Sequence, residues 1–399
     1  MQIVSPESQG FSATRLNRIN ELLARYVAAG KLAGTMSLVA RRDEIVHWQC
    51  LGHRDLASGA PLTPDTLFRI YSMTKPITGV AVMMLFEEGH FLLDDPVAAF
   101  IPQLGEMQVA AGQNANGLIL KPQARPITIR HLLTHTAGLS YGSDPMDPVD
   151  ALYNQAGLLD PASTMPAMMD KLAGLPLVGQ PGAQWVYSIA TDVLGHLVEV
   201  ISGESLGTFF RERIFAPLNM VDTGFYVAPE KQNRLATLYL SEGGAPLEPF
   251  QDARGRTFKS PDEMESGGGG LVSTMADYYQ FCRMLLKGGE LNGERLLGRK
   301  TVELMRQNHL PPELVPIRFA EGPRPGVGHG LAASVWVDAT HLAGMGSNGT
   351  YSWSGAANTH FWVDPTEELC AIFMTQLFPS GLYPVHAQFR TAVYQALVD

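Results

Sequence analysis

The sequence has little that would mark it for a membrane or for disulfide bonding. No apolar run among its 399 residues approaches the roughly 20 residues needed to cross a bilayer. The first residues, MQIVSPESQGFSATRL, lack a basic region followed by an apolar one, so they indicate no secretion signal. Only three cysteines are present, and their odd number and wide spacing predict free thiols. We therefore expect a cytoplasmic protein that has no membrane partner.

Clustered positive charge is missing as well. The formal net charge is -10, with 29 Lys and Arg against 39 Asp and Glu, and no basic run could neutralise phosphates. A nucleic-acid partner is therefore not expected. The composition, 45% hydrophobic and 17% charged, is that of an ordinary globular protein. The chain is long enough to bury a large core or two.

Strand and helix patterns divide the chain into three blocks. TMSLVARRDEIVHWQCLG predicts two strands around the turn ARRDE, and strand patterns return in HGLAASVWVD, NTHFWVDP and LCAIFMTQLF. Between them, short helical patterns alternate with connections rich in proline and glycine. We predict an α/β (α+β) fold in which residues 1–88 and 230–399 form a mostly antiparallel sheet flanked by helices. Residues 89–229 are predicted to form an inserted, mainly helical domain, with the active site in the cleft between the two.

The stretch IYSMTKPITGVAVMMLFEEG places a serine and a lysine three residues apart at the start of an apolar helix. The positions that predict one core-facing stripe are Ile77, Val80, Ala81, Met84 and Leu85. Ser72 and Lys75 share a helix face, so the hydroxyl and the amine can approach hydrogen-bonding distance. Of eight lysines, only Lys75 follows a serine by three positions, and a bare ammonium in an apolar helix is costly. The pair indicates an activated serine nucleophile; a capping serine beside a surface lysine is the alternative.

A serine nucleophile needs a proton acceptor, and a lysine with a second titrating group can provide one. Tyrosine is one option, because a neighbouring ammonium favours the phenolate. The stretch QPGAQWVYSIATDVLGHLVEVISG places Tyr187 immediately before a predicted helix, where its hydroxyl could project into a cleft. Taken alone, a tyrosine in this position is more typical of packing.

Three motifs in order carry a family resemblance. SMTK, YSIATDVLG and WSGAANTHFWVDP, supported by TIRHLLTHTAGLSYG and GGGGLVSTMADYYQF, resemble the serine β-lactamase and penicillin-binding-protein superfamily, in particular its class C-like branch. The resemblance implies that Ser72 is acylated and that Lys75 and Tyr187 share its proton, with either one as the ground-state base. It also implies an oxyanion hole made by the backbone N–H groups of Ser72 and Ala356. Gly355 would then lack a side chain so that substrate can lie against the strand.

The departures from that pattern bear on the substrate. Class C β-lactamases have Tyr-x-Asn where this chain has Ile189 in the third position, and Lys-Thr-Gly where it has Trp353, Ser354 and Gly355. Both changes make the predicted pocket less polar, and the second removes a cation. The expected substrate therefore shifts from an anionic lactam to a neutral ester. The Trp-x-Gly triplet resembles that of the family VIII carboxylesterases.

Three other motifs are weaker candidates for a functional site. Residues 138–142, GLSYG, match the G-x-S-x-G elbow of α/β-hydrolases, but that elbow needs a strand before the serine, and the segment before Ser140 has a helical pattern. His131 and His135 are four apart on a predicted helix, yet no third metal ligand stands out. Gly267–Gly270 lacks the Lys-Ser/Thr of a phosphate loop and predicts tight backbone packing. We expect no metal and no cofactor.

The sequence thus predicts a serine carboxylesterase that hydrolyses short to medium acyl esters through an acyl-enzyme on Ser72. The partner expected is a small-molecule ester, and the oligomeric state stays open. A β-lactamase, D-amino peptidase or acyltransferase of the same superfamily is the first alternative. A non-catalytic protein that binds an acyl or peptide ligand is the second.

Overall fold

The computed structural model describes residues 2–115, 117–144, 146–252, 255–341 and 344–399. All the residues predicted to form the site lie within these ranges. The α-helices are Ala13–Leu16, Arg18–Ala28, Thr74–Glu87, Ile129–Leu133, Pro148–Ala156, Met165–Ala173, Ala190–Ser202, Leu206–Phe210, Met275–Leu286, Arg299–Met305 and Val385–Tyr394.

An eight-stranded sheet forms the centre of the molecule, and every pair of neighbouring strands in it is antiparallel. In spatial order its strands are Val327–His329, Ser334–Trp336, Tyr351–Ser354, His360–Asp364, Leu369–Met374, Gly34–Arg41, Glu44–Asp55 and Ala60–Pro61. Both ends of the chain contribute strands, which confirms the predicted fold class. The first hairpin turns more tightly than predicted, at Arg42 and Asp43, which both have positive φ.

Side chains alternate between the two faces of this sheet, so each face builds its own core. Trp362 and Phe373 pack with the helices at the two chain ends, Arg18–Ala28 and Val385–Tyr394. Phe361 and its neighbours on the other face join the larger core around the helix Thr74–Glu87. The sheet therefore separates the helices of the chain ends from the helix that follows Ser72.

The helix Thr74–Glu87 is buried on all sides rather than along one stripe. Residues 74–85 are all buried, including Thr74, Lys75 and Thr78. A helix that is hydrophobic all round belongs inside a core. The sequence prediction of a single core-facing stripe was too narrow, and the correction matters because it places Lys75 deep in the protein.

Residues 89–229 contain five of the α-helices: Ile129–Leu133, Pro148–Ala156, Met165–Ala173, Ala190–Ser202 and Leu206–Phe210. A single π-helical turn, Arg211–Phe215, continues the last of them. They also contain an antiparallel hairpin, Gln108–Asn114 with Gly117–Pro122, which the sequence patterns did not indicate. Its strands are largely exposed and lack clear apolar alternation. Short strand pairs elsewhere are Phe68–Arg69 with Val272–Ser273, Glu290–Leu291 with Glu294–Arg295, Arg318–Phe319 with Gly322–Pro323, and Tyr239–Leu240 with Glu248–Pro249 and Leu377–Phe378.

Within the described ranges, none of the helices has both the length and the apolar character required to cross a bilayer.

Candidate active site

Ser72 lies in a short 3-10 turn, Tyr71–Met73, directly before the central helix. Tyr71 has φ 42, an unusual value for a residue with a side chain. Strained backbone of this kind persists only where the surroundings hold it, and it is common at functional sites. The turn is held by the Ile70 N–H, which donates to the Leu271 carbonyl at 3.1 Å. Ser72 is left half-buried, with its hydroxyl directed at Lys75 and Tyr187.

Lys75 is fully buried, and its amine is surrounded by three oxygen atoms. Nζ donates to Ser72 Oγ at 3.1 Å, to the Tyr141 hydroxyl at 2.9 Å and to the Gly268 carbonyl at 2.6 Å. Three acceptors match the three protons of an ammonium group. This satisfied geometry explains how a cation can be tolerated inside the apolar helix.

Tyr187 stands just before the helix Ala190–Ser202, as predicted, and its hydroxyl donates to Ser72 Oγ at 2.7 Å. Its ring lies against Lys75, with Nζ 4.8 Å from the ring centroid. The preceding residue anchors it, because the Val186 N–H donates to the His135 carbonyl at 2.9 Å. Ser72 Oγ is therefore held between the lysine and the tyrosine, which the sequence could only suggest by resemblance.

The glycine segment was predicted to be packing, and the structure gives it a second role. Gly268 accepts a hydrogen bond from Lys75, and its N–H donates at 3.0 Å to Asp192, a carboxylate buried completely. A Cβ on Gly268 would come within 2.3 Å of Asp192 Oδ2 and 2.9 Å of the Tyr141 hydroxyl. The glycine is required because the backbone passes between these groups.

Tyr141 is the residue that sequence reasoning missed. It sits beside Ser140 in the GLSYG match that had been rejected as an elbow, and its hydroxyl contacts Lys75. Its ring meets that of Tyr187 edge to face, with centroids 5.2 Å apart. No spacing rule links it to Ser72, because the contact spans 66 positions of the chain.

Ser140 has a structural position. It is 2% exposed, its hydroxyl bonds to Asp150, and its Oγ accepts from the Gly142 N–H at 3.0 Å. The segment before it is the helix Ile129–Leu133 followed by irregular backbone, so the strand of a nucleophile elbow is absent from these residues, all of which the structure describes.

The strand Tyr351–Ser354 ends beside the Ser72 turn. A Cβ on Gly355 would lie 2.3 Å from the Ile70 carbonyl oxygen and 2.3 Å from Thr359 Oγ1. Gly355 is therefore needed for close approach between the strand end and the turn. Ala356 lies one residue beyond, outside the strand, and among the described residues its N–H has no hydrogen-bond acceptor. A free N–H on a segment that packs against Tyr71, next to Ser72 in the chain, has the character of an oxyanion-hole donor.

Aromatic rings enclose Tyr187. Trp353 lies 5.5 Å from it between centroids, Phe319 also 5.5 Å, and Trp185 stacks at 6.3 Å. Phe319 comes from the hairpin Arg318–Phe319 with Gly322–Pro323, and the sequence gave no sign of its role. Ile189, in contrast, is 2% exposed and packed in the main core, so it offers a substrate no surface. Of the two residues predicted to form the apolar wall, Trp353 belongs to it and Ile189 does not; Trp185 and Phe319 supply further aromatic surface.

Two buried histidines complete the wall. His135 lies 5.0 Å from the Tyr187 ring and His329 5.5 Å from Trp353, between centroids. Burial lowers the pKa of His329 to about 4, and burial, His329 and Lys75 lower the pKa of His135 well below its usual range. Both are neutral near pH 7, so neither histidine adds a positive charge to the site. His131 lies apart from them in a helix cap, where Nδ1 accepts from the Thr128 N–H at 3.1 Å.

The described residues contain no group of three or more His, Cys, Asp or Glu side chains that could hold a metal ion. Cys282 and Cys370 are buried free thiols, and Cys50 is a half-buried one. What the site does offer is a serine hydroxyl, two groups that can move its proton, and an adjacent free N–H. That set is sufficient for acyl transfer through a covalent serine intermediate.

Comparison with known proteins points the same way. A family model described as Beta-lactamase matches residues 19–395. Protein Rv1367c of Mycobacterium tuberculosis is 39% identical over 88% of this chain and 87% of its own length. Esterase EstB of Burkholderia gladioli is 27% identical over 96% of each chain. The solved structure of EstCE1, described as a hydrolase with promiscuous acyltransferase activity, superposes with a TM-score of 0.80 at 28% identity, covering 96% of this chain and 99% of that one.

Proposed function

The chain belongs to the β-lactamase family, and from that premise we propose that it is a serine carboxylesterase acting on short to medium acyl esters. One observation carries the proposal: Ser72 Oγ lies 3.1 Å from Lys75 Nζ and 2.7 Å from the Tyr187 hydroxyl. A serine hydroxyl held by two proton-carrying groups is the arrangement that nucleophilic catalysis requires.

The proposed reaction has two halves. In the first, Ser72 Oγ attacks the ester carbonyl carbon while its proton passes to the pair Lys75 and Tyr187. The N–H groups of Ser72 and Ala356 stabilise the oxyanion of the tetrahedral intermediate. The bond to the alcohol oxygen then breaks, the alcohol leaves with a proton delivered through Tyr187, and the acyl group stays on Ser72.

In the second half, water replaces the alcohol. The same pair takes a proton from the water, and the oxygen attacks the acyl carbon. The bond between Ser72 Oγ and the acyl group breaks, the proton returns to the serine, and the carboxylic acid leaves. Each half thus uses the same residues in opposite order, and atoms and charges balance over the cycle.

A neutral, apolar ester is the proposed substrate class. Trp353 stands where related β-lactamases have a lysine that attracts a carboxylate, and Trp185 and Phe319 add apolar surface. His135 and His329 are uncharged and cannot replace the missing cation. Esterase EstB, similar over nearly the whole chain, supports the same class.

Acyl transfer is the second candidate. The acyl-enzyme is common to hydrolysis and transfer, and an alcohol that outcompetes water at Ser72 would convert one into the other. The aromatic lining favours acyl transfer, because it can hold an apolar alcohol beside the acyl group. The similar EstCE1 is described as having both activities. Product analysis with added alcohol distinguishes the two: transfer yields a new ester, hydrolysis only acid.

The first experiment is hydrolysis of p-nitrophenyl acetate and butyrate by wild type, Ser72→Ala and Ser140→Ala, with folding checked for each. We expect Ser72→Ala to lose about three orders of magnitude or more in kcat/KM and Ser140→Ala to keep most activity. An inactive Ser140→Ala beside an active Ser72→Ala would refute the proposed nucleophile. Wild type that is inert toward these esters, yet cleaves a chromogenic cephalosporin, would favour the lactamase alternative. Failure to form a covalent adduct with a serine-reactive phosphonate would favour a binding protein.

A further inference from the structure

A buried acid that the proposed reaction does not use is separated from the lysine by one glycine residue. Asp192 is fully buried in the first turn of the helix Ala190–Ser202. Its Oδ1 accepts hydrogen bonds from the Ser266 hydroxyl at 2.5 Å and from the Gly268 N–H at 3.0 Å. Its Oδ2 is buried and has no hydrogen-bond partner among the residues that the structure describes. A buried carboxylate with one unpaired oxygen is costly unless another charge stabilises it.

Gly268 brings this carboxylate close to Lys75. The glycine donates its N–H to Asp192 and accepts a hydrogen bond from Lys75 Nζ at 2.6 Å. A Cβ on Gly268 would lie 2.3 Å from Asp192 Oδ2 and 2.9 Å from the Tyr141 hydroxyl. That hydroxyl in turn accepts from Lys75 Nζ at 2.9 Å. The unpaired oxygen of Asp192 therefore lies on the side of Gly268 that carries a partner of the lysine.

The buried amine of Lys75 needs a negative charge nearby. Its three hydrogen-bond partners contribute two hydroxyl oxygens and one carbonyl oxygen, all of them neutral. The other titratable side chains that interact with it are Tyr141, Tyr187, His135 and His329. Burial lowers the pKa of both histidines, so they are neutral near pH 7. Asp192 can supply the missing charge, and its place in the first turn of a helix favours the ionised carboxylate.

We propose that Asp192 is the counter-charge of Lys75 and stabilises the extra proton that Lys75 and Tyr187 take from Ser72. The inference rests on the proposed esterase function and adds a positioning residue to it. While the pair holds the serine proton, it carries one more positive charge than before, and a nearby carboxylate lowers the free energy of that state. The effect is the same whichever member of the pair accepts the proton. Asp192 acts through Lys75 and does not touch the reacting atoms.

Asp192→Asn removes the charge and keeps the acceptor. The amide oxygen can still accept from Ser266 and Gly268, so the glycine segment keeps its hydrogen bonds. We expect kcat for p-nitrophenyl butyrate to fall about tenfold while KM stays within about twofold of wild type. Ser266→Ala, which removes a hydrogen bond and leaves the charge, should keep most of kcat. An unchanged kcat in Asp192→Asn, or an equal fall in Ser266→Ala, would overturn the proposal.

The charge pair can also be measured without a substrate. In Lys75→Met, Asp192 becomes a buried charge without a counter-charge, so removing that charge as well should favour the folded state. We expect Asp192→Asn to lower the urea midpoint of unfolding in wild type, and to leave it unchanged or raise it in Lys75→Met. Equal losses in the two backgrounds would overturn the proposal. If Lys75→Met does not fold, the double variant should recover a folded protein, and its failure to do so would count against the charge pair.

Asp277 provides the matched control. It is also a buried carboxylate in the first turn of a helix, Met275–Leu286, and one of its oxygens accepts from a backbone N–H and a hydroxyl. Its charged neighbours are Asp222 and Arg234. Asp277→Asn should therefore shift the urea midpoint equally in wild type and in Lys75→Met, and it should leave kcat unchanged. A shift that disappears in Lys75→Met for this variant too would show that the coupling is not specific to Asp192.

Failure of the inference can be told apart from failure of the proposed function. If wild type hydrolyses no p-nitrophenyl ester, but the effect of Asp192→Asn on the urea midpoint depends on Lys75 as expected, the proposed function fails and the charge pair stands. If wild type hydrolyses these esters, and neither kcat nor the urea midpoint responds to Asp192→Asn as described, only the inference fails.

Discussion

At the scale of single residues, the site depends on how Lys75 is solvated. The amine has no contact with bulk water, and its three oxygen partners come from distant parts of the chain: Ser72, Tyr141 and Gly268. Buried charges are stable only when such partners are complete. Removal of any one of them should therefore affect catalysis as well as stability.

Lys75→Met keeps the length and apolar stem of the side chain but removes the amine. We expect kcat/KM for p-nitrophenyl butyrate to fall by roughly three orders of magnitude, because the proton of Ser72 loses one of its two carriers. The change should not unfold the protein, since the helix around it is apolar. Thermal unfolding serves as the control, and an active, folded Lys75→Met would contradict the assigned role.

Tyr141→Phe removes one acceptor of the lysine and leaves the ring in place. The expected result is about a tenfold fall in kcat with little change in KM, because a buried donor loses its partner while the substrate surface stays. Tyr153→Phe is the control: Tyr153 is buried where Tyr141 is half-buried, and its hydroxyl has no hydrogen-bond partner among the described residues. That variant should retain wild-type kinetics. A similar fall in kcat in both variants would mean that Tyr141 has only a structural effect.

At the scale of elements, the glycine segment 267–270 positions the lysine through its backbone. Gly267 accepts from Thr78 Oγ1 at 2.7 Å and Gly268 from Lys75, so two turns of the central helix are tied to this segment. Asp192 holds the same segment from the other side, accepting from the Ser266 hydroxyl at 2.5 Å and the Gly268 N–H. The segment behaves as a fixed support only while its backbone keeps this path.

Gly268→Ala should disturb that path and Gly269→Ala should not. The new methyl at 268 would lie 2.3 Å from Asp192 Oδ2, whereas at 269 the nearest atom is 3.8 Å away. We expect Gly268→Ala to lower the free energy of unfolding by about 1–3 kcal/mol and to reduce kcat. Gly269→Ala should change neither by much. Urea unfolding and ester hydrolysis measured on both variants check the contrast, and equal behaviour would refute it.

At the scale of the whole molecule, several histidines are buried in neutral form. The pKa values of His47, His329 and His386 are lowered to about 4, chiefly by burial, and burial also lowers those of His135 and His360 well below their usual range. Their ordinary value lies near 6.5. Between these limits the unfolded chain binds protons that the folded protein does not.

Stability should therefore fall as the pH drops below about 6.5, and continue to fall toward pH 4. Each such histidine contributes up to about 1.4 kcal/mol per pH unit in this window, because a depressed folded pKa favours the protonated unfolded state. Urea unfolding at pH 7, 6 and 5 measures how the free energy of unfolding changes with pH. His47→Gln should reduce the dependence of stability on pH, because it removes one buried group with a lowered pKa. A free energy of unfolding that stays constant from pH 7 to 5 would contradict the prediction.

The sequence by itself determined the fold class, the family and the contact between Ser72 and Lys75. Each of these depends on residues that are close in the chain: strand patterns along Gly34–Arg41 and His360–Asp364, three motifs in order, and a spacing that one helical turn converts into proximity. The prediction of superfamily from those motifs is confirmed by the match over residues 19–395. Local rules suffice for such features because neighbours in the chain are neighbours in space.

Only the tertiary structure decided which residues surround Ser72. Tyr141, Gly268 and Phe319 reach the site from segments far from Ser72 in the chain, and Ile189 turns into the core. Gly355 is a glycine because it meets the Ile70 carbonyl, a contact that no sequence pattern records. Long-range packing sets these positions. In a dense core, the partners of a side chain depend on the shapes of all the elements around it and not on its place in the chain.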